Sequence, residues 1–85
     1  MRVLLFAGAR EAAGGEGELR LRLSREGATT LEDLLQELVR LHPPLARVLP
    51  HARIAVNGAY VPRRSARFVL QDADEVALLP PYSGG

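Results

Sequence analysis

The feature that most constrains the fold is a single amphipathic helix in the middle of the chain. Leucines recur there at the i, i+3, i+4 and i+7 spacing that forms one face of an α-helix. They are Leu31, Leu34, Leu35 and Leu38. Thr29 with Glu32, or Thr30 with Asp33, would form a capping box at the start of this helix, and two consecutive prolines end it. Since the helix has one apolar face, we expect it to cover one face of a sheet.

Segments with strand-like patterns lie on both sides of this helix. The predicted strands are residues 3–7, 18–23, 53–56, 59–61 and 75–79, and residues 68–70 are a further short apolar run. The second strand alternates charged and apolar residues, which is typical of a strand with one face in water. Asn57-Gly58 is a strong signal for a two-residue hairpin turn. Short helical turns are expected at residues 9–13 and 45–49.

This order of elements predicts an α+β fold. A hairpin followed by a helix allows the last strand to lie beside the first, in the parallel sense, through a right-handed crossover. We therefore expect a ubiquitin-like β-grasp, with a mixed sheet of about five strands and the main helix on one face. The predicted domain covers residues 1–79, and residues 80–85 form an extended, flexible C-terminal Gly-Gly tail.

Composition argues against several classes of function. The chain has no cysteine, which excludes disulfides and a cysteine nucleophile. Its two histidines, His42 and His51, lack metal-ligand spacing to a carboxylate cluster, so we expect no metal site. A net charge of +1 gives no nucleic-acid footprint, and no apolar run reaches the length of a membrane span. We expect a cytoplasmic protein that binds neither nucleic acid nor membrane.

The basic residues are unusual because all eleven are arginine. An activated acyl group at the C-terminus would therefore meet no lysine amine on another copy of the chain. Six prolines and the absence of cysteine also fit a thermophile protein.

The last six residues join two prolines to a Gly-Gly end. Pro80 and Pro81 have no backbone N–H, so they end the pairing of the preceding strand and favour an extended course. Fully stretched, the tail would reach about 20 Å at roughly 3.3–3.6 Å per residue. Gly84 and Gly85 leave the backbone bare enough to enter a narrow channel of another protein. The alternative is an ordinary frayed terminus.

Three segments together resemble the small subunit of molybdopterin synthase, one of the MoaD/ThiS-type ubiquitin-like sulfur carriers. They are Val56-Asn57-Gly58-Ala59-Tyr60-Val61, Asp72-x-Asp74-Glu75-Val76-Ala77 and Pro80-Pro81-Tyr82-Ser83-Gly84-Gly85. Phe6-Ala7 with Arg10-Glu11 matches the family's first strand and helix, so the resemblance covers the whole chain. Ala73 replaces a glycine that is common in the family, which affects a turn and leaves the chemistry untouched.

The resemblance implies a non-catalytic carrier that binds no cofactor itself. A ubiquitin-activating-enzyme-like adenylyltransferase would use ATP and Mg²⁺ to adenylate the carboxylate of Gly85. Sulfur would then displace AMP and leave a terminal thiocarboxylate. The large subunit of the synthase would bind the loaded tail and pass the sulfur to a cyclic pterin monophosphate, for molybdenum cofactor biosynthesis.

Strand alternation predicts an apolar docking patch on the face of the sheet away from the helix. Leu4, Phe6 and Leu79 would point outward there, with Tyr60 at the border. The family's contact positions map onto Tyr60, Leu79 and Arg10. The alternative is that Phe6 and Leu79 belong to the core and Tyr60 packs on its turn. The tail residues predicted to contact a partner are Pro80, Pro81, Tyr82 and Ser83.

Other functions remain open on the sequence alone. With the same fold, the chain could carry sulfur for thiamine or tRNA thiolation, or act as a ubiquitin-like protein modifier. A hypothesis of another class is a plain β-grasp interaction module whose terminus is never activated. A free-standing enzyme is favoured least, because the sequence has no nucleophile–base pair and no phosphate-binding loop.

Overall fold

The structure is a computed structural model that describes residues 1–22, 29–62 and 67–81. Its strands are β1 (Arg2–Leu5), β2 (Glu18–Arg20), β3 (Thr29–Thr30), β4 (Arg53–Val56), β5 (Ala59–Val61), β6 (Val69–Leu70) and β7 (Glu75–Leu79). Its helices are α1 (Ala7–Ala12), α2 (Leu31–Leu41) and α3 (Leu45–Val48), and a 3₁₀ turn covers Leu49–His51.

Five strands form one mixed sheet in the order β2-β1-β7-β4-β5. The first strand, β1, pairs in parallel with the last strand, β7, and antiparallel with β2. Strand β4 pairs antiparallel with β7 on one side and with β5 on the other. The predicted α+β architecture, with the first and last strands adjacent and parallel, is confirmed.

Helix α2 packs against one face of this sheet. Leu31, Leu34 and Leu38 are at most 2% exposed, while Leu35 is half-buried at the edge of the contact. The side chains of the sheet in the same core cluster include Val3, Leu5, Ile54, Val56, Val76 and Leu78. The leucine spacing therefore predicted the buried face of the helix correctly, because that spacing repeats with the helical turn.

A second, two-stranded ladder joins β3 to β6 and was not predicted. Thr29 pairs with Leu70, Thr30 pairs with Val69, and the backbone N–H of Leu31 donates to the carbonyl of Phe68. Since Thr29 is buried in this ladder, Thr30 caps the helix. The Thr30 hydroxyl accepts from the backbone N–H of Asp33, and the Asp33 carboxylate accepts from the backbone N–H of Thr30, each at 3.2 Å.

Two strand ends differ from the prediction. Strand β1 ends at Leu5, since Ala7 has a backbone φ of 49° and α1 begins there. Strand β2 ends at Arg20, although Leu21 still exchanges backbone hydrogen bonds of 2.7 and 2.9 Å with Met1. Residue 23, the predicted end of β2, lies outside the described residues.

The hairpin turn between β4 and β5 is tied to the loop that precedes β7. Asn57 and Gly58 have φ values of 51° and 85°, as a tight hairpin turn requires. The Asn57 side chain donates to the Asp74 carboxylate and accepts from the backbone N–H of Glu75, both at 2.9 Å. The second Asp74 oxygen accepts from the backbone N–H of Gln71 at 2.7 Å. Two of the segments that carry the family resemblance thus hold each other in place.

We expect Asp74→Ala to lower the free energy of unfolding by about 1–3 kcal/mol, because it leaves the donors of Asn57 and Gln71 without their charged acceptor. Glu16→Ala removes the same charge from an exposed loop and should change stability by less than about 0.5 kcal/mol. Urea denaturation followed by circular dichroism measures both. Similar values for the two variants would show that the network adds nothing to stability.

Strand β7 ends at Leu79, immediately before the prolines. The tail residues 82–85 lie outside the described residues, so the boundary at residue 79 and the extended tail stay predictions. Among the described helices, none is long and apolar enough to cross a membrane. The described residues also contain no cluster of three side chains suited to hold a metal ion.

Candidate functional site

Leu4, Tyr60 and Leu79, three of the residues predicted for docking, lie on strands at the sheet face opposite α2. In β1 and β7, the side chains that point toward α2 are at most 1% exposed: Val3, Leu5, Val76 and Leu78. Phe6, by contrast, is 44% exposed, and Leu4 and Leu79 are half-buried. The predicted orientation of both strands is confirmed, whereas a docking role for these residues stays a prediction.

One row of side chains on this face crosses all five strands. From β2 to β5 the pairing register places Glu18, Leu4, Ala77, Ala55 and Tyr60 side by side. The two alanines form a low floor between Leu4 and Tyr60, which stand about 14 Å apart at roughly 4.8 Å per strand. We call Leu4, Phe6, Ala55, Tyr60, Ala77 and Leu79 the outer face. It is a shallow apolar trough with an aromatic side chain, Tyr60, 53% exposed at one border.

The other end of the same sheet face is charged. Arg2 forms ion pairs with Glu75 and Glu18, and Arg20 pairs with Glu18 at 3.2 Å. These residues surround the beginning of β7, while the outer face lies toward its end. The apolar surface is therefore on the side from which the tail departs.

Pro80 and Pro81, which we call the tail root, leave the sheet between two grooves. The first has a volume of about 210 Å³, and its lining includes Phe6, Ala9, Val48 and Leu79. The second has a volume of about 480 Å³, and its lining includes Pro50, Arg53, Ile54, Tyr60 and Pro62. Pro81, His51 and Ala52 line both grooves. The tail root is therefore adjacent to the outer face at Leu79 and to both grooves through Pro81.

Arg53 is a candidate site residue that sequence reasoning missed. Its guanidinium carbon lies 4.1 Å from the ring centroid of Tyr60, a cation–π contact. It is also paired across the strands with Leu79, the last residue of β7. The strand pairing that the Asn57-Gly58 turn predicts could have indicated this contact. Ala55 lies opposite Tyr60, so Arg53, two residues earlier, is a diagonal neighbour within reach of the ring.

Arg10 is placed differently from the other predicted contacts. Its Nε donates to the carbonyl of Gly15 at 3.1 Å, and a Cβ atom on Gly17 would lie 3.6 Å from its guanidinium carbon. Arg10 lines neither groove at the tail root. Its side chain therefore fastens the glycine-rich loop to α1, and its role in docking stays a prediction.

Gly84 and Gly85, which the sequence analysis predicts to carry the chemistry, lie outside the described residues, as do Tyr82 and Ser83. Four residues follow Pro81, and they can span at most about 14 Å at roughly 3.3–3.6 Å each. A protein that bound a carboxylate at Gly85, as predicted from the sequence, would therefore have to approach close to the tail root.

Comparison with known proteins agrees with this architecture. The chain matches the sequence model of the ThiS family over residues 3–85. The molybdopterin synthase sulfur carrier subunit of Chlamydomonas reinhardtii is 44% identical over 85 residues, which is 100% of this chain and 98% of the relative.

Solved structures of similar proteins have the same fold. Small archaeal modifier protein 1 from Haloferax volcanii superposes with a TM-score of 0.80 at 31% identity, over 100% of this chain and 98% of that one. A putative molybdopterin converting factor subunit 1 from Pyrococcus furiosus has a TM-score of 0.79 at 30% identity, over 94% of each chain. The sheet with its single long helix is the ubiquitin-like β-grasp fold of these proteins. The family match and the full-length relatives show that this chain belongs to the ThiS family.

Proposed function

We propose that this chain is the sulfur-carrier small subunit of a molybdopterin synthase. The observation that carries the proposal is the meeting of the outer face with the tail root at Leu79 and Pro80. A protein that binds the outer face would also cover the tail root, so the Gly-Gly tail would extend into that protein. The curated relatives support the same function, since six of them, 30–44% identical over almost the whole chain, are named molybdopterin synthase sulfur carrier subunits.

The chemistry begins with activation of the Gly85 carboxylate, which is a poor electrophile. A carboxylate oxygen attacks the α-phosphate of ATP on an adenylyltransferase partner, and pyrophosphate leaves. Hydrosulfide released from a sulfur donor then attacks the acyl carbon, the bond to AMP breaks, and a thiocarboxylate and AMP result. In this scheme ATP and Mg²⁺ belong to the activating enzyme, and the chain contributes the acyl group and the surface that presents it.

The second partner is the large subunit of the synthase. It binds the outer face, takes up the tail and directs the thiocarboxylate sulfur to a cyclic pterin monophosphate. Glycine at positions 84 and 85 keeps the tail narrow and the acyl carbon unhindered. Water then cleaves the bond between the acyl carbon and the transferred sulfur, so the sulfur stays on the pterin and the carrier returns to the carboxylate form.

A second candidate function is protein modification. It is favoured by the likeness to small archaeal modifier protein 1, which includes the full length of this chain. Both functions begin with the same activated terminus and differ in the acceptor. In modification a lysine amine attacks the acyl carbon, the bond to AMP breaks and an amide forms, whereas in the synthase the sulfur leaves the carrier.

Reconstitution separates the two candidates. We expect the loaded carrier, mixed with the large subunit and a cyclic pterin monophosphate, to transfer sulfur to the pterin and return to its unloaded mass. The unloaded carrier is the control and should transfer nothing. If mass spectrometry shows amide adducts on other proteins and no sulfur on the pterin, the modifier function replaces the synthase function.

We expect Leu79→Glu to weaken binding to the large subunit by at least about 2 kcal/mol, because the new charge would be buried in a desolvated contact without a partner. The melting temperature of the isolated chain should hardly change, since Leu79 is only half-buried. Leu41→Glu is the matched control. It places the same charge on an exposed leucine of α2, and its binding should equal that of the wild type. Calorimetry and a binding titration measure the two effects.

Tyr60→Ala should weaken binding more mildly, because Tyr60 stands at the border of the outer face.

Two results would contradict the assignment of the outer face as the docking surface. A large loss of monomer stability in Leu79→Glu would make Leu79 part of the core. Equal binding of Leu79→Glu and Leu41→Glu would place the docking surface elsewhere.

A further inference from the structure

Strand β2 lies at one edge of the five-stranded sheet, and among the described residues its only strand partner is β1. The hydrogen bonds of this pair show which of its backbone groups are used. Leu21 exchanges backbone hydrogen bonds with Met1, and Gly17 accepts one from the N–H of Leu5. Hydrogen-bonded and non-hydrogen-bonded pairs alternate along an antiparallel ladder. Leu19, midway between Gly17 and Leu21, therefore directs its backbone groups toward β1.

Glu18 and Arg20 direct their backbone groups the other way, toward the open edge. Their partners in the register, Leu4 and Arg2, form the non-hydrogen-bonded pairs of the ladder. The N–H of Arg2 accordingly donates to the carbonyl of Asp74, on the β7 side. Within the described part of the chain, the N–H and C=O groups of Glu18 and Arg20 are thus available to a further strand, as is typical of a sheet edge.

The sequence of β2 is complementary to a second copy of itself. If two β2 strands pair antiparallel around Leu19, Glu18 of each chain lies opposite Arg20 of the other. The open backbone groups are in phase with this register, so each Glu18–Arg20 pair would exchange both of its hydrogen bonds. Opposite charges across a strand pair are favourable, whereas registers centred on Glu18 or Arg20 would place like charges opposite each other.

The side chains suit the same register. Glu18 and Arg20 are exposed, and their ion pair of 3.2 Å within one chain leaves the carboxylate room for a second guanidinium. Leu19 is half-buried and packs against the core. The two Leu19 residues would form a non-hydrogen-bonded pair, with Cα atoms about 4.5 Å apart. Pairing would therefore remove apolar surface from water at the centre of the contact.

We propose that the edge of β2 is an interaction surface for a second copy of this chain, which pairs antiparallel with it to join two five-stranded sheets into one. The contact is isologous, with its two-fold axis through the sheet between the two Leu19 residues. Strand β1 separates β2 from β7, so the contact leaves Leu79 and the tail root uncovered in both chains. The inference does not depend on the proposed function.

The test is small-angle X-ray scattering of the full chain over a concentration series. Three residues from each chain bury far less than the roughly 1,000 Å² of a stable interface, so we expect a Kd on the order of 0.1–1 mM. Glu18→Arg alone and Arg20→Glu alone should each raise the Kd at least about tenfold, because both cross-strand pairs then carry like charges. An equimolar mixture of the two variants should associate like the wild type, because both pairs then carry opposite charges again.

The matched controls reverse the charges of another exposed ion pair of the same residue types. Glu37 and Arg40 form it on α2, at 2.6 Å. Glu37→Arg and Arg40→Glu should each leave the Kd within about twofold of the wild type. NMR spectra of the wild type locate the contact, since the amide signals of Glu18 and Arg20 should shift with concentration.

Three outcomes would overturn the inference. They are a wild type that stays monomeric throughout the series, a mixture that associates no better than its separate components, and NMR shifts that lie away from β2. Melting temperatures show whether each variant is folded. If either variant is unfolded, the scattering and the NMR shifts of the wild type decide. Sulfur loading of the chain is measured separately, so the proposed function stands or falls independently of these results.

Discussion

Replacing Leu38 with alanine is expected to lower the free energy of unfolding by about 2–5 kcal/mol. Leu38 lies in the middle of α2, is fully buried, and belongs to the same core cluster as Val3, Val76 and Leu78. Removing most of its side chain leaves a cavity between the helix and the sheet. Because neighbouring side chains are close-packed, they can fill that cavity only in part.

The control for this prediction is Gln36→Ala, on the exposed side of the same helix. It should change stability by less than about 0.5 kcal/mol, since an exposed glutamine and an alanine both suit a helix. Thermal and urea denaturation, followed by circular dichroism, measure the two variants under the same conditions. Equal shifts would show that α2 presents a different face to the sheet.

The elements predicted best were those whose local pattern also records burial. The leucine spacing of α2 and the alternation along β7 each repeat with the period of their own secondary structure, so burial could be predicted position by position. The same alternation gave the outward orientation of Leu4, Phe6 and Leu79. Asn57-Gly58 predicted its turn because few residues accept the backbone angles that such a turn needs.

The features that were missed depend on contacts between distant segments. The ladder of β3 and β6 pairs only Thr29 and Thr30 with Val69 and Leu70, which is too short to leave a period in the sequence. Thr29 also fits a helix cap by its local pattern. Only the backbone hydrogen bonds to β6 decide that Thr30 has that role.

In the candidate site, too, the features that were missed depend on contacts between distant segments. The low floor of Ala55 and Ala77, and the contact of Arg53 with Tyr60, arise from the register of β7, β4 and β5 together. No single segment contains that information. Arg10 was assigned to docking by family resemblance alone, and that role stays a prediction; the bond of its side chain to the loop at Gly15 was not predicted.

Gly84 and Gly85 differ from these residues because the role proposed for them rests on the sequence and its resemblance to the family. Deleting Gly85 is expected to abolish sulfur loading completely, the largest effect that any single change should have on function. Activation needs a carboxylate at the end of a tail long enough to reach the adenylylation site. Without Gly85 the carboxylate is shifted by one residue, about 3.5 Å, and no longer lies where the nucleotide is held. Since β7 and the core end before the tail, the truncated chain should melt at the same temperature as the intact one.

The most direct measurement is intact-protein mass spectrometry after incubation with the adenylyltransferase, ATP, Mg²⁺ and a sulfur donor. We expect the full chain to gain the mass of one oxygen-to-sulfur exchange, and fragmentation to assign the sulfur to Gly85. The chain without Gly85, folded to the same extent, should keep its original mass. Loading of the truncated chain at the same rate, or an intact chain that never gains sulfur, would contradict the assignment of this protein as a sulfur carrier.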